Sequence, residues 1–356
     1  MTSEDVAPNL ALISNGRRYG GWKGIRVTQS IETLAGSFAL EVSDRWGGQA
    51  VPWPLAEEDT CRVEIEHQVV IDGFVSRRRH SMSATSRSLS YSGYDRAQKL
   101  VKNSARLNTW TFNNVDITAL ARAVARPFGC PVSVQPGLKL PPADKVVLNP
   151  GDSAYEAIHR AAARVGVLVV SDGAGGILIT RAGTSRATPL IMGENVKSFD
   201  VEYDSENRYH EYEVATQVAG LNDSEAGTSI LAKAIDQGVR SLADVLIIRP
   251  DQGLSLADAE RRVDWEARVR AARAETVTIG VQGWTQPSGE LWPLNALVRV
   301  KVPGVNGDML ISQVERSIGD EGQQTSLHLV RPDAFTPEPI VRDSGGAWKE
   351  LAGGAL

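Results

Sequence analysis

The feature that most constrains this chain is an alternation of apolar and polar residues with a period of two. Residues 22–46, WKGIRVTQSIETLAGSFALEVSDRW, show it most clearly. Ile25 and Val27 alternate with Arg26 and Thr28, and Phe38, Leu40 and Val42 alternate with Ala39, Glu41 and Ser43. Successive side chains of a strand point to opposite faces, so each run reads as a half-buried strand. The link SIETLAG is too long for a two-residue turn, and Gly36 in it offers a bend or bulge. The pattern recurs at 10–14, 62–66, 69–80 and 86–94, with a turn expected at His67-Gln68. Five or six short strands with Gly and Ser punctuation predict a small barrel over residues 10–98.

The period then changes. Ile117, Leu120, Ala121, Val124 and Phe128 form one helical stripe over 117–128, capped by Asp116 and stopped by Gly129. Five prolines at 131, 136, 141, 142 and 150 predict an extended connection. A second helix is expected over 153–165, followed by a hairpin in VLVVSDGAGGILIT. Strands resume near 195, 221–243 reads as a surface loop, and 246–248 as a short strand. A helix over 255–274 carries the stripe Ala259, Val263, Ala267, Ala271 and the pairs Asp258–Arg262, Asp264–Arg268 and Glu266–Arg270. Four more strands end the pattern.

The expected class is therefore α+β and β-rich, with two small tube-type β-barrels, an α/β insert and an additional helical segment. The boundaries are 1–103 for the first barrel and 104–182 for the α/β unit. The second barrel takes 183–220 and 275–335, a loop-and-helix subdomain 221–274, and a mobile tail 336–356.

Several chemistries find no support. With 38 basic and 43 acidic residues the net charge is −5, so no global positive field draws the chain to nucleic acid or an anionic membrane. The N-terminus carries Glu4 and Asp5 and no basic, apolar leader pattern, and no apolar run reaches the ~20 residues that span a bilayer. Cys61 and Cys130 form no close pair, and His67, His80, His159, His210 and His328 are scattered singly, so no metal site is expected. Gly151-Asp152-Ser153 could hold a nucleophile, but Ser153-Ala-Tyr-Glu156 is a capping box where a helix must start, and no base accompanies it. GAGG at 173–176 precedes a strand, which makes it a hairpin turn and not a phosphate loop. Glu64 and Glu66 share a strand face as glycosidase carboxylates would, and as a solvated face also would. Arg77-Arg78-Arg79 is the densest basic run; strand spacing turns Arg77 and Arg79 one way and Arg78 the other. It lacks the aromatic interleaving of a nucleic-acid site and suits a charged strand end or an ion pair between subunits. Trp22 and Trp46 bracket the first hairpin, Trp284 and Trp292 a later loop, which fits edge packing better than a sugar platform.

Residue chemistry alone thus names no function, but a resemblance does. RRYGGWKGIRVTQSIETLAGSFAL, DGFVSRRRHSMS, GDSAYEAIHRAAARVGVLVVSDGAGGILITR, MGENVKSFDVEYDSENRYHEYEV and VQGWTQPSGELWPLNALVRV, in this order over residues 16–335, resemble the baseplate hub proteins of Mu-like phages. These belong to the late control D group, with the phage T4 hub and the hub part of type VI secretion VgrG spikes. The resemblance implies a homotrimer in which two barrels per chain alternate into a pseudo-six-fold ring, joining a hexameric tail tube protein to a trimeric central spike. Other baseplate or wedge proteins would surround it, and the tape-measure protein and DNA would pass through its channel. It implies a virion component assembled in host cytoplasm, with no catalytic residues, no cofactor and no small-molecule substrate. The ring would be built from 22–46, 62–80 and 275–330, with 104–182 and 255–274 outside. Candidate interface residues are Arg77, Arg78, Arg79, Trp22, Trp284 and Trp292. A tailocin or type VI secretion hub, a glycan-binding adhesin and a cell-wall hydrolase are the alternative readings.

Overall fold

A computed structural model describes residues 10–42, 55–83, 87–183, 185–218, 227–250, 254–319 and 322–339. Trp46, residues 221–226 and the tail beyond 339 lie outside these.

The first unit contains β1 (Leu10–Ser14), β2 (Arg17–Tyr19), β3 (Gly24–Ser30), β4 (Ser37–Val42), β5 (Thr60–Ile65), β6 (Gln68–Met82) and β7 (Arg87–Asp95). The hairpin read from the sequence is present: β3 and β4 pair antiparallel, with Val27 opposite Phe38 and Ile25 opposite Leu40. The turn between β5 and β6 falls one residue earlier than expected, at Glu66 and His67, both in the left-handed region (φ 48° and 63°). That is the mirror-image turn that matches strand twist. Leu12, Val27, Phe38, Leu40, Val63, Ile71 and Tyr91 fill one core within these strands.

The α/β unit follows, with α1 (Gln98–Lys102), β8 (Thr111–Val115), α2 (Ile117–Ala125), β9 (Val132–Val134), β10 (Ala143–Val147), α3 (Ala154–Ala163), β11 (Leu168–Ser171) and β12 (Ile177–Thr180). Asp116 caps α2, and a 3-10 turn carries it to Gly129, whose φ of 64° ends it. The proline-rich connection is not wholly irregular: β9 adds parallel to β12 and β10 pairs with β8. The prolines flank these short strands instead of interrupting them.

Next come β13 (Ser185–Arg186), β14 (Leu190–Ile191), β15 (Ser198–Tyr203), β16 (Glu211–Val218), β17 (Gly227–Ile235), β18 (Val245–Ile248) and α4 (Leu256–Arg273), then β19 (Glu275–Gln282), β20 (Ala296–Val302), β21 (Val305–Gly319) and β22 (Gly322–Val330). β16 does not join the second large β unit as expected. It is the centre of a separate sheet, β17-β16-β18, whose Tyr212, Val214 and Ala232 pack on Ala259 and Val263 of α4. Part of the expected surface loop is therefore strand β17. On α4 the buried stripe runs through Ala259, Val263, Glu266, Val269 and Ala272, with Ala267 and Ala271 at its margin. Its ion pairs are also re-dealt: Asp258 takes Arg261, and Glu266 takes Arg262 as well as Arg270.

Among the described residues, neither of the two expected barrels is closed. β15, β19, β22, β21, β3, β4, β7, β6, β5, β1 and β2 follow one another in a single sheet, with β20, β13 and β14 attached beside β21. Its two halves meet where β21 pairs antiparallel with β3, Arg316 opposite Val27 and Ile318 opposite Ile25.

Candidate assembly surface

Because strand partners lie side by side on one face, the register of this sheet defines a continuous surface. One row runs Arg77–Ser92–Ala39–Arg26–Ser317–Gln324–Gln282 through β6, β7, β4, β3, β21, β22 and β19. A second runs Thr28–Glu315–Ser326–Gly280–Ser198, and a third Gln313–His328–Thr278–Asp200, both reaching β15. These residues are polar or small, and all are exposed or half-buried. The opposite face carries the cores of both halves. The surface therefore spans eight strands, and its charges nearly balance: Arg26, Arg77 and Arg79 against Glu41, Glu315, Asp200 and Glu202.

The basic run lies at one end. β5 covers β6 only over residues 68–74, and residues 76–82 project beyond it, bonded to β7 and exposed throughout. A register shift between Val75 and Arg77 leaves Ser76 as the extra residue. That single insertion decides which faces the arginines take. Arg77 and Arg79 stand opposite Ser92 and Ser90 on the polar face. Arg78 stands opposite buried Tyr91 and reaches Glu57 at 3.5 Å.

The tryptophans are placed differently from the candidate interface reading. Trp22, Trp284 and Trp292 are all buried within the chain. Trp284 follows β19 in sequence yet packs into the core of the first unit, its Nε1 donating to the Ser317 carbonyl at 3.2 Å. Trp292 lies in the other half's core, and its carbonyl accepts from Arg316 Nη2 at 2.6 Å. The loop they bracket thus seals the seam inside one chain, which is edge packing of an intramolecular kind.

Sequence reasoning missed two groups at the junctions. Arg316, 2% exposed, sits at the seam; its Nη1 donates to Gln29 Oε1 at 2.9 Å, and its Nε finds no partner. Burial lowers its pKa to about 10. Asp95, 1% exposed, joins the first unit to the α/β unit, accepting from the Gly36 and Ala97 amides and from Ser171 Oγ on β11. Burial raises its pKa to about 6 against those hydrogen bonds. A signal existed for the first: Arg316 occupies an apolar position in the alternation of β21.

The groups set aside for chemistry are committed elsewhere. Ser153 and Glu156 form the reciprocal capping box of α3. Both cysteines are buried and their thiols are pushed up to about 12, chiefly by burial. Among the described residues no group of His, Cys, Asp and Glu is arranged to hold a metal, and no helix is long and apolar enough to cross a membrane.

What the architecture defines is a scaffold: two β halves fused into one broad sheet, one face core and the other a polar surface. Comparison with known proteins gives the scaffold its family. Residues 9–95 match the family described as Mu phage baseplate assembly protein GpP-like, N-terminal. Residues 97–181 match the second domain of baseplate hub protein gp44-like, and 255–338 the fourth domain of Mu phage baseplate assembly protein GpP. Baseplate hub protein gp44 of Escherichia phage Mu is 31% identical over 343 residues, covering 93% of this chain and 89% of that protein. The chain belongs to the Mu-like phage baseplate hub family, and is a structural component of the virion tail baseplate.

Among solved structures, the prophage MuSo2 43 kDa tail protein from Shewanella oneidensis matches with a TM-score of 0.81 at 29% identity, covering 93% of this chain and 99% of that one. A tail protein from Neisseria meningitidis MC58 matches at 0.78 and 21%, with the same coverage. A type VI secretion component of E. coli, described as structurally similar to T4 tail proteins gp27 and gp5, shares the fold at 0.54 and 9%, covering 93% and 80%. The last two likenesses show the fold alone.

Proposed function

We propose that three copies of this chain form a pseudo-six-fold ring that joins a hexameric tail tube to a trimeric spike. The observation that carries this is the β21–β3 seam. It sets two β halves side by side in one sheet, so three chains present six β units with a three-fold repeat. That is the symmetry adaptation a hub needs. Closure, which the described strands of one chain do not form, is completed between chains. Such a permanent interface buries more than about 2,000 Å².

The polar face lines the channel in this reading. Three arginines against four carboxylates give a wall that neither traps DNA through phosphate contacts nor repels it strongly. The helices of the α/β unit and α4 lie outside the ring, and neighbouring baseplate proteins, the spike and the tube supply the remaining partners. The tape-measure protein and DNA pass through transiently. Light scattering on the purified chain tests the ring: a mass near three times 38.4 kDa is expected. A stable monomer, alone and when mixed with its spike protein, overturns it.

A further inference from the structure

Resting on that ring, we propose which two edges join one copy to the next: the basic projecting part of β6 docks against the acidic edge strand β15 of the neighbouring chain. Among the described residues, neither has a strand partner on its outer side. Over residues 76–82, β6 is hydrogen-bonded on the β7 side, beyond the reach of β5. Among the described residues β15 pairs with β19 alone and ends the path of the large sheet. The two are matched in length, at seven and six residues.

Their charges are opposite and on the same face. The ladder of partners places Arg77 and Arg79 on the polar surface, and Asp200 and Glu202 on that surface at its far end. Each pair is spaced i, i+2, roughly 6.6–6.8 Å along a strand, so one strand's charges fall in step with the other's. All four are exposed. Two copies of β6 repel each other, as do two copies of β15, so only the head-to-tail arrangement is favoured. A contact between two different patches of the same chain closes into a ring when its rotation permits. The strand-to-strand join continues the polar face across the subunit boundary.

The test is a charge swap read by sedimentation velocity, with circular dichroism confirming the fold. The variants are Arg77→Glu with Arg79→Glu, Asp200→Lys with Glu202→Lys, and all four together. Each double variant is expected to raise the dissociation constant of the wild-type trimer by about 100-fold or more, because like charges then face each other across the join. The fourfold variant is expected to recover trimer. Double variants that stay trimeric beside a trimeric wild type overturn this pairing and leave the ring standing. So do double variants that dissociate while the folded fourfold variant fails to recover. A wild type that is monomeric at every concentration, with and without its spike, removes the ring and this join together.

Discussion

Asp95 makes the junction between the first unit and the α/β unit sensitive to pH. Its Oδ2 accepts from the Gly36 amide at 2.8 Å and Ser171 Oγ at 2.5 Å, and its Oδ1 from the Ala97 amide at 2.9 Å. Burial still outweighs these bonds and raises its pKa from 3.8 to about 6. An acid whose pKa is higher in the folded state binds its proton more tightly there. Protonation therefore stabilises the fold as pH falls through 6 towards 3.8, and that stabilisation is absent above about 7. Linkage between these two values gives about 1.4 kcal/mol of added stability from pH 7.5 to pH 5. Asp95→Asn abolishes the titration. It also turns an amide NH₂ towards one of the two backbone N–H donors, a mismatch costing about 1–3 kcal/mol. Urea denaturation of wild type and Asp95→Asn at both pH values reads the difference. The variant is expected to fall behind by about 1.4 kcal/mol more at pH 5 than at pH 7.5. An equal gap at the two pH values would refute the reasoning, because the carboxyl would then not titrate in this window.

Three further outcomes are expected. Arg316→Met removes a buried guanidinium whose Nε has no partner, so its stability should lie within about 1 kcal/mol of wild type, whereas Gln29→Ala, which strips that charge of an acceptor, should cost about 2 kcal/mol by urea titration. Gly93→Ala places a Cβ 2.1 Å from the Phe74 carbonyl oxygen and 2.6 Å from Phe38 Cζ, and should cost more than about 2 kcal/mol or abolish soluble expression. Ser153→Ala breaks the α3 capping box and should cost about 1 kcal/mol, with no loss of assembly in a light-scattering measurement.

How much was legible follows from the range of the forces involved. The founding hairpin, the caps at Asp116 and Ser153, and the opposed faces of Arg77 and Arg78 were readable because period and capping act within a few residues. The seam was not. Nothing local says that β3 pairs with β21 nearly three hundred residues later, and without that pairing the same strands read as two separate barrels. The place of Trp284 was hidden for the same reason: a bulky residue at a strand end looks like a rim, and the seam is what carries Trp284 into the core of the other half. β16 was assigned to the wrong sheet because its alternation fits either; its β17 and β18 neighbours settle its place. The small-residue stripe on α4 missed because Glu266 is buried, and its charge is met there by Arg262 and Arg270.

The open edges explain why such a sheet can be built at all. A broad sheet with bare strand edges is a template for uncontrolled pairing, and proteins blunt such edges with charge. Here the two ends of the polar face carry opposite signs: arginines on the projecting part of β6, carboxylates on β15. Identical edges are kept apart by repulsion, so stacking of like on like is disfavoured, while unlike edges attract. Whether such head-to-tail pairing gives a ring or a filament depends only on the rotation between copies. Within the chain, the two halves meet at the seam, where Arg316 bonds Gln29 and the Trp292 carbonyl and Trp284 bonds the Ser317 carbonyl. A buried arginine without a carboxylate partner is a poor source of stability. Its hydrogen bond to Gln29 on β3 is nonetheless directional and crosses between the two halves, while its bond to the Trp292 carbonyl holds it within its own half. In the proposed ring, an angular error at this seam would recur in every copy. It follows that the polar, directional contacts of this core belong where the two halves meet.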